Sequence, residues 1–196
     1  MEKFLEAFRK RYDLKADDCV KLLDIMTRIE YSKGDYLVRE GEVNTSYYII
    51  AEGIWRGHYL RNGEELSLWF ASSGESLFST LGYVGNKPSQ IYIEAMTDSV
   101  LNKVSRARLE DFFNSSIQYS IMGRKLWQYE FLVAEERIVS TGVLSQAKER
   151  YLDLLEKAPH LLQHVPLKYI ASYLFITPQS LSRIRAELAK TVKERI

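Results

Sequence analysis

Apolar and polar positions follow three rhythms along this chain. Between Met1 and Ile29 the spacing is helical. Phe4, Leu5 and Phe8 make one apolar patch, and Val20, Leu22, Leu23 and Met26 make a second that Asp17 or Asp18 is placed to cap. From Arg28 to Val104 the chain breaks into short runs rich in Tyr, Ile, Val and Trp. Glycine turns divide them at Lys33-Gly34-Asp35, Glu40-Gly41-Glu42, Glu52-Gly53, Asn62-Gly63 and Ser73-Gly74, the rhythm of short antiparallel strands. Asn62-Gly63 suits positive φ at both central positions of a tight hairpin. Its predicted strands are Ile54 to Leu60 and Leu66 to Phe70, with Tyr47 to Ile50 as a further strand. The segment is predicted to be a β-sandwich or barrel.

After Arg106 glycine becomes scarce and the period turns helical. Tyr119, Met122, Leu126, Tyr129 and Val133 recur at alternating three- and four-residue steps, an a/d seam about two heptads long. An amphipathic helix lying on its own β-domain would show the same spacing. A second apolar set, Ile117, Ile121, Phe131 and Leu132, predicts two buried faces, one against the β-domain and the other against a partner chain. A further helix is expected from Ser145 to Lys157, stopped by Pro159. The interruption at Ser140-Thr141-Gly142 is the expected domain boundary.

The stretch from Pro166 to Leu188 carries the most specific pattern. Leu167, Ile170 and Leu174 give one buried helical face. Thr177 is placed as an N-cap and Pro178 sits at the first helical position. Leu181, Ile184 and Leu188 then form the core face of a second helix, so the pair reads as a helix-turn-helix. At about 100° per residue these three side chains cluster on one side. Opposite them lie Gln179, Arg183, Ala186 and Lys190, with Ser182 at the edge and Ser180 and Arg185 on the flanks. Gln and Arg can make bidentate hydrogen bonds to adenine and guanine edges in the major groove, while Ser180 and Arg185 are placed for phosphates. Lys168 and Thr177 complete the expected DNA-facing set.

Charge sharpens this picture. The net charge is +1, yet residues 138–196 hold nine Lys/Arg against five Asp/Glu, and the remainder holds eighteen against twenty-one. A basic end behind an acidic body suits a polyanionic partner. The single cysteine, Cys19, cannot form an intrachain disulfide or supply an iron–sulfur cluster alone. No apolar run approaches a membrane span and the charged N-terminus carries no export signal, so a cytoplasmic protein is expected. No nucleophilic or paired-carboxylate site stands out, so no enzyme activity is expected. No metal site or cofactor is predicted; His58, His160 and His164 are scattered.

The pattern Ile176-Thr-Pro-x-x-Leu-Ser-Arg-Ile-Arg185 resembles the helix-turn-helix of the Crp/Fnr-type bacterial regulators. Lys33 to Glu42, Tyr47 to Gly53, Asn62-Gly63 and Ser73-Gly74-Glu75 resemble that family's cyclic-nucleotide-binding β-roll. The resemblance spans about Phe4 to Leu188. It implies an α+β fold of N-terminal helices and an antiparallel β-roll of jelly-roll type, a long central dimerisation helix, and a C-terminal helix-turn-helix with at most a small wing. The implied domains are 1–115, 116–140 and 141–196. It also implies a homodimer joined through the central helix, which matches the seam of Tyr119, Met122, Leu126, Tyr129 and Val133 as the expected dimer contact, a palindromic double-stranded DNA site read by Gln179, Ser180 and Arg183, and RNA polymerase as a further partner.

Two departures from the family bear on mechanism. The acid and arginine that hold a cyclic nucleotide's ribose and phosphate fall at Phe78-Ser79 and Ser89-Gln90, so cyclic AMP binding is not expected. An effector, of unknown identity, would meet Gly74, Glu75, Phe78, Ser79, Ser89, Gln90 and Tyr92. Phe175 stands where the family often has glycine, and a left-handed phenylalanine would cost about 1 kcal/mol or more, so either the turn is reshaped or Phe175 packs somewhere useful. The leading expectation is a dimeric DNA-binding regulator. The alternative is a cytoplasmic small-molecule receptor in which DNA binding is lost or secondary.

Overall fold

The computed structural model of the protein describes residues 2–141 and 146–193. Two helices, α1 (Lys3–Arg11) and α2 (Ala16–Asp24), precede the strands. Lys15, not Asp17 or Asp18, is the N-cap of α2, and those acids lie in its first turn, where they face the positive end of the helix. Phe4, Leu5, Phe8, Cys19 and Leu22 are buried in one cluster with Tyr47 and Ile49, so the first predicted patch and Leu22 of the second face the β-domain, whereas Leu23 and Met26 are partly buried and Val20 is exposed.

Eight strands follow: β1 (Thr27–Tyr31), β2 (Tyr36–Val38), β3 (Ser46–Glu52), β4 (Ile54–Arg61), β5 (Glu64–Ser72), β6 (Ser76–Phe78), β7 (Tyr92–Ala95) and β8 (Ser99–Ser105). They form two four-stranded sheets, ordered β1-β8-β3-β6 and β2-β7-β4-β5. All pairings are antiparallel. The core between the sheets holds Val38, Tyr48, Ile50, Trp55, Leu77, Ile93 and Leu101. Asn62 and Gly63 both have positive φ, 53° and 82°, and Arg61 pairs with Glu64 across the turn. This is the two-residue hairpin the sequence predicts. A short helix, α3 (Thr80–Gly85), bridges β6 and β7.

Helix α4 (Arg106–Asn114) leads into the long helix α5 (Ile117–Thr141). Gly123 lets the two approach closely, since a Cβ there would stand 2.9 Å from the Phe113 ring. Met122 and Leu126 are 2% and 0% exposed, packed with Phe112, Phe113 and the β-domain. Tyr119 stacks on Phe112 and Tyr129 meets Tyr12 edge-on. The predicted dimer seam of Tyr119, Met122, Leu126, Tyr129 and Val133 is corrected accordingly. Its two central aliphatic residues fill the protomer's own core, and Val133 is half-buried. The second apolar set lies on the outside: Ile117 is 79% exposed, Ile121 42%, Phe131 74% and Leu132 49%. Ile138 and Val139 extend it.

The C-terminal helices are α6 (Ala147–Lys157), α7 (Leu161–His164), α8 (Leu167–Tyr173) and α9 (Pro178–Lys193). Of the expected boundary at 140–142, α5 continues through Thr141, and Gly142 and the expected helix start at Ser145 lie outside the described residues. Helix α7 takes the space between Pro159 and Pro166 that a small wing could have used, and among the described residues no strand follows β8. Tyr151, Leu154, Leu161, Ile170, Leu174, Leu181 and Ile184 share a buried cluster with Ile54, Phe70 and Met96 of the β-domain, so these helices dock on the second sheet.

Candidate nucleic-acid interface and sensor interior

The helix-turn-helix is built by local chain chemistry. Helix α8 ends as Phe175 turns left-handed with φ 54°. The Phe175 amide donates to the Ser172 carbonyl and the Ile176 amide to the Ala171 carbonyl, the paired bonds of a left-handed helix cap. The phenylalanine thus occupies the conformation expected of glycine, and its side chain is 49% exposed. Two residues later Thr177 Oγ1 accepts from the Ser180 amide at 3.1 Å. Pro178 opens α9 as the sequence predicts. From α6, Arg150 donates through Nε and Nη2 to the Leu174 carbonyl at 3.1 and 3.0 Å. That clamp on the end of α8 joins residues far apart in sequence, and no local pattern signals it.

Leu181 and Ile184 are buried beneath α9 and Leu188 packs beside them. Gln179, Ser182, Arg183, Arg185, Ala186 and Lys190 are exposed. Ser180 is half-buried and its hydroxyl accepts from Thr177. Lys168 is exposed on α8 with its ammonium 4.6 Å from the Tyr169 ring centre. Glu187 is the single acid of α9, and it pairs at 2.6 Å with Lys148 of α6. The Lys148 hydrogen bond and charge hold its carboxyl below the usual range. Arg183 and Arg185 form no ion pair among the described residues. The helix therefore presents a polar, cationic outer face whose one acid is drawn back to a neighbouring helix.

The expected effector residues lie on several elements of the β-domain. Gly74 lies under α1, where a Cβ would stand 2.6 Å from Ala7 Cβ. Glu75 pairs with Arg11 at 2.9 Å and accepts from the Ser72 amide. Ser79 is the N-cap of α3, accepting from the Gly82 amide. Ser89 Oγ donates to the Ile91 carbonyl at 2.7 Å, and Gln90 is exposed. Tyr92 lies on the second sheet, stacked on His58 at 5.1 Å. Both serines that replace the family's acid and arginine are thus engaged by backbone groups beside them.

Phe78 lies where the β-roll meets α5, in an aromatic group with Tyr47, Tyr83 and Trp127 at centroid distances of 5.2–6.3 Å. Beside it the Tyr12 hydroxyl donates to Glu130 at 2.6 Å, and Ser76 Oγ bonds both Tyr12 and Tyr47. Burial raises the Glu130 carboxyl above its ordinary value, although the Tyr12 hydrogen bond opposes it. Burial likewise pushes the Tyr12 and Tyr47 phenols well up. Sequence reading missed Tyr47, Tyr83, Trp127 and Glu130 as one assembly because they come from a strand, a short helix and the long helix.

Comparison with known proteins adds the following. Residues 28–116 match the cyclic nucleotide-binding domain family. The solved structure of FixK2 from Bradyrhizobium japonicum is 24% identical, with 85% of this chain and 86% of that chain covered at a TM-score of 0.71. The c-di-GMP-responsive global regulator CLP of Xanthomonas campestris is 18% identical, over 90% of this chain and 93% of that one, at 0.67. A mutant of CooA from Carboxydothermus hydrogenoformans is 17% identical, over 87% and 79%, at 0.65. At these identities the likeness is one of fold, and it runs through the β-roll, the long helix and the C-terminal helices.

Proposed function

We propose that this chain, which carries a cyclic nucleotide-binding domain at residues 28–116 and has the fold of the Crp/Fnr-type regulators, is a sequence-specific DNA-binding transcriptional regulator. The observation that carries this reading is the outer face of α9. Arg183 and Arg185 are exposed, and the one acid of the helix is tied back to Lys148. An ordinary solvent-facing helix mixes acids with bases; this one offers only donors and cations to a polyanion.

On this reading Gln179 and Arg183 meet base edges, while Ser180, Ser182 and Arg185 hold phosphates, supported by Lys168, Thr177 and Lys190. The working unit is a homodimer joined through the exposed stripe of α5, and it engages RNA polymerase on a palindromic site in the cytoplasm. Its units are the sensor domain 1–115, the dimerisation helix 116–140 and the DNA-binding domain 141–196. The β-roll does not take cyclic AMP. Ser79 and Ser89 bring no charge to a phosphate and are already engaged locally. Any effector is therefore of another class.

The test is fluorescence anisotropy with duplex DNA across salt concentrations. Arg183→Ala removes a fork that can bridge guanine O6 and N7. It is expected to weaken specific binding by about 1–3 kcal/mol per half-site while leaving non-specific binding nearly unchanged. Arg185→Ala is expected to weaken all sequences alike and to reduce the salt slope by roughly one unit per contact. Equal losses on specific and random duplex for Arg183→Ala would contradict the assigned face. No duplex binding by the wild type would favour the receptor without DNA function.

A further inference from the structure

The outer face of the second sheet is covered by the helix-turn-helix through an unusually polar contact. Ser172 of α8 completes the open edge of β5, with its hydroxyl accepting from the Ser67 amide at 2.9 Å and donating to the Glu65 carbonyl at 3.0 Å. Arg56 of β4 has no exposed surface. Its Nη2 donates to Glu65 at 2.5 Å and to Glu94 at 2.7 Å. The Tyr169 ring of α8 closes over it, 3.6 Å from the guanidinium carbon.

His58 lies two residues along β4 on the same face, 3% exposed, with Nδ1 3.9 Å from the Glu94 carboxylate. Four buried polar atoms in this group have no hydrogen-bond partner: Arg56 Nε, Arg56 Nη1, His58 Nδ1 and Ser67 Oγ. Protein interiors seldom leave such groups unmatched, because each loses water and gains nothing in return.

We propose that Arg56, His58, Glu65 and Glu94, closed over by Tyr169 and Ser172, form an acid-releasable clasp that docks the helix-turn-helix on the β-roll. The charged and titratable groups around His58 come from every element packed on it. Arg56 shares its strand and Glu65 lies on β5. Glu94 and Tyr92 lie on β7, and Tyr36 of β2 is 6.5 Å away between ring centres. Helix α8 brings the Tyr169 ring over Arg56 and the Lys168 charge toward Glu65. Burial first and then the Arg56 charge hold the His58 pKa down at about 4, against the opposing pull of Glu65.

When α8 lifts away, water reaches the sheet and His58 returns toward its ordinary value of 6.5. The docked state therefore binds fewer protons than the open one. Docking is fully favoured above pH 6.5 and weakens as pH falls from there toward 4. Complete opening would shift the balance by up to about thirtyfold between pH 7.5 and 5. The clasp does not depend on the DNA reading, and its test uses no DNA.

Two measurements on the full chain test it. In the first, a donor–acceptor pair at Lys33→Cys and Gln163→Cys, diluted into excess unlabelled protein, reports energy transfer from pH 8 to 5. Transfer is expected to change across this range in the wild type and to stay level in His58→Phe, which keeps a ring on Tyr92 but carries no proton. A level wild-type profile, or the same change in both, overturns the proposal. In the second, the His58 ring is titrated by NMR in the wild type and in Tyr169→Ala. The wild type should titrate near 4, and the variant, with the clasp uncovered, at clearly higher pH. A wild-type value near 6.5, or an unchanged low value in the variant, also overturns it.

Discussion

Phe175 shows how a single residue can be held against its own preference. Its φ of 54° is the left-handed conformation in which a Cβ meets the following carbonyl, and its exposed ring recovers little by burial. The turn is nevertheless fixed by the paired amide bonds to Ala171 and Ser172 and by the Arg150 clamp on Leu174. Phe175→Gly should remove the steric conflict and keep the turn. We expect it to raise unfolding stability by about 1 kcal/mol in urea denaturation, with DNA affinity unchanged. A loss of stability would mean that the ring makes a contact worth more than the strain. The family pattern marks this position in the sequence, because glycine is expected there. The two outcomes expected there, a reshaped turn or a packed Phe175, are both replaced by a left-handed residue with a half-exposed ring, because the hydrogen bonds that hold the turn come partly from α6.

Helix α5 shows what periodicity can and cannot tell at the scale of an element. Three- and four-residue spacing identified the helix and both of its apolar stripes. Assigning the Tyr119 to Val133 stripe to the partner failed, because either stripe satisfies the same spacing and only tertiary packing decides. Met122 and Leu126 are the buried pair, whereas Ile121 and Phe131 lie outside. The two pairs should therefore fail differently. Ile121→Asp with Phe131→Asp is expected to yield a folded monomer by light scattering, with its circular dichroism preserved. Leu126→Ala is expected to cost about 2–5 kcal/mol of protomer stability with no direct effect on the interface. A dimer that survives the outer pair would move the interface away from α5. The hairpin at Asn62-Gly63 was legible in full, since its chemistry is local to two residues.

At the scale of the whole molecule, the β-roll and the helix-turn-helix are each legible in the sequence and their mutual docking is not. Arg56, Glu65 and Glu94 look like ordinary strand charges until the fold pairs them and α8 places Tyr169 over Arg56. Ser172 reads as a helix residue until it completes the edge of β5. The aromatic group that joins Tyr47, Phe78 and Tyr83 to Trp127 of α5 is likewise a product of topology. These contacts tie the β-roll, the long helix and the C-terminal helices together, so the outer face of α9 is held in place by the whole fold. The most direct test of the central claim is selection of duplexes from random DNA by the wild-type chain. The account predicts a palindromic consensus whose half-sites lie about one helical turn apart, with Arg183→Ala relaxing one position in each half and Arg185→Ala leaving the consensus intact. Recovery of unenriched sequence would contradict it.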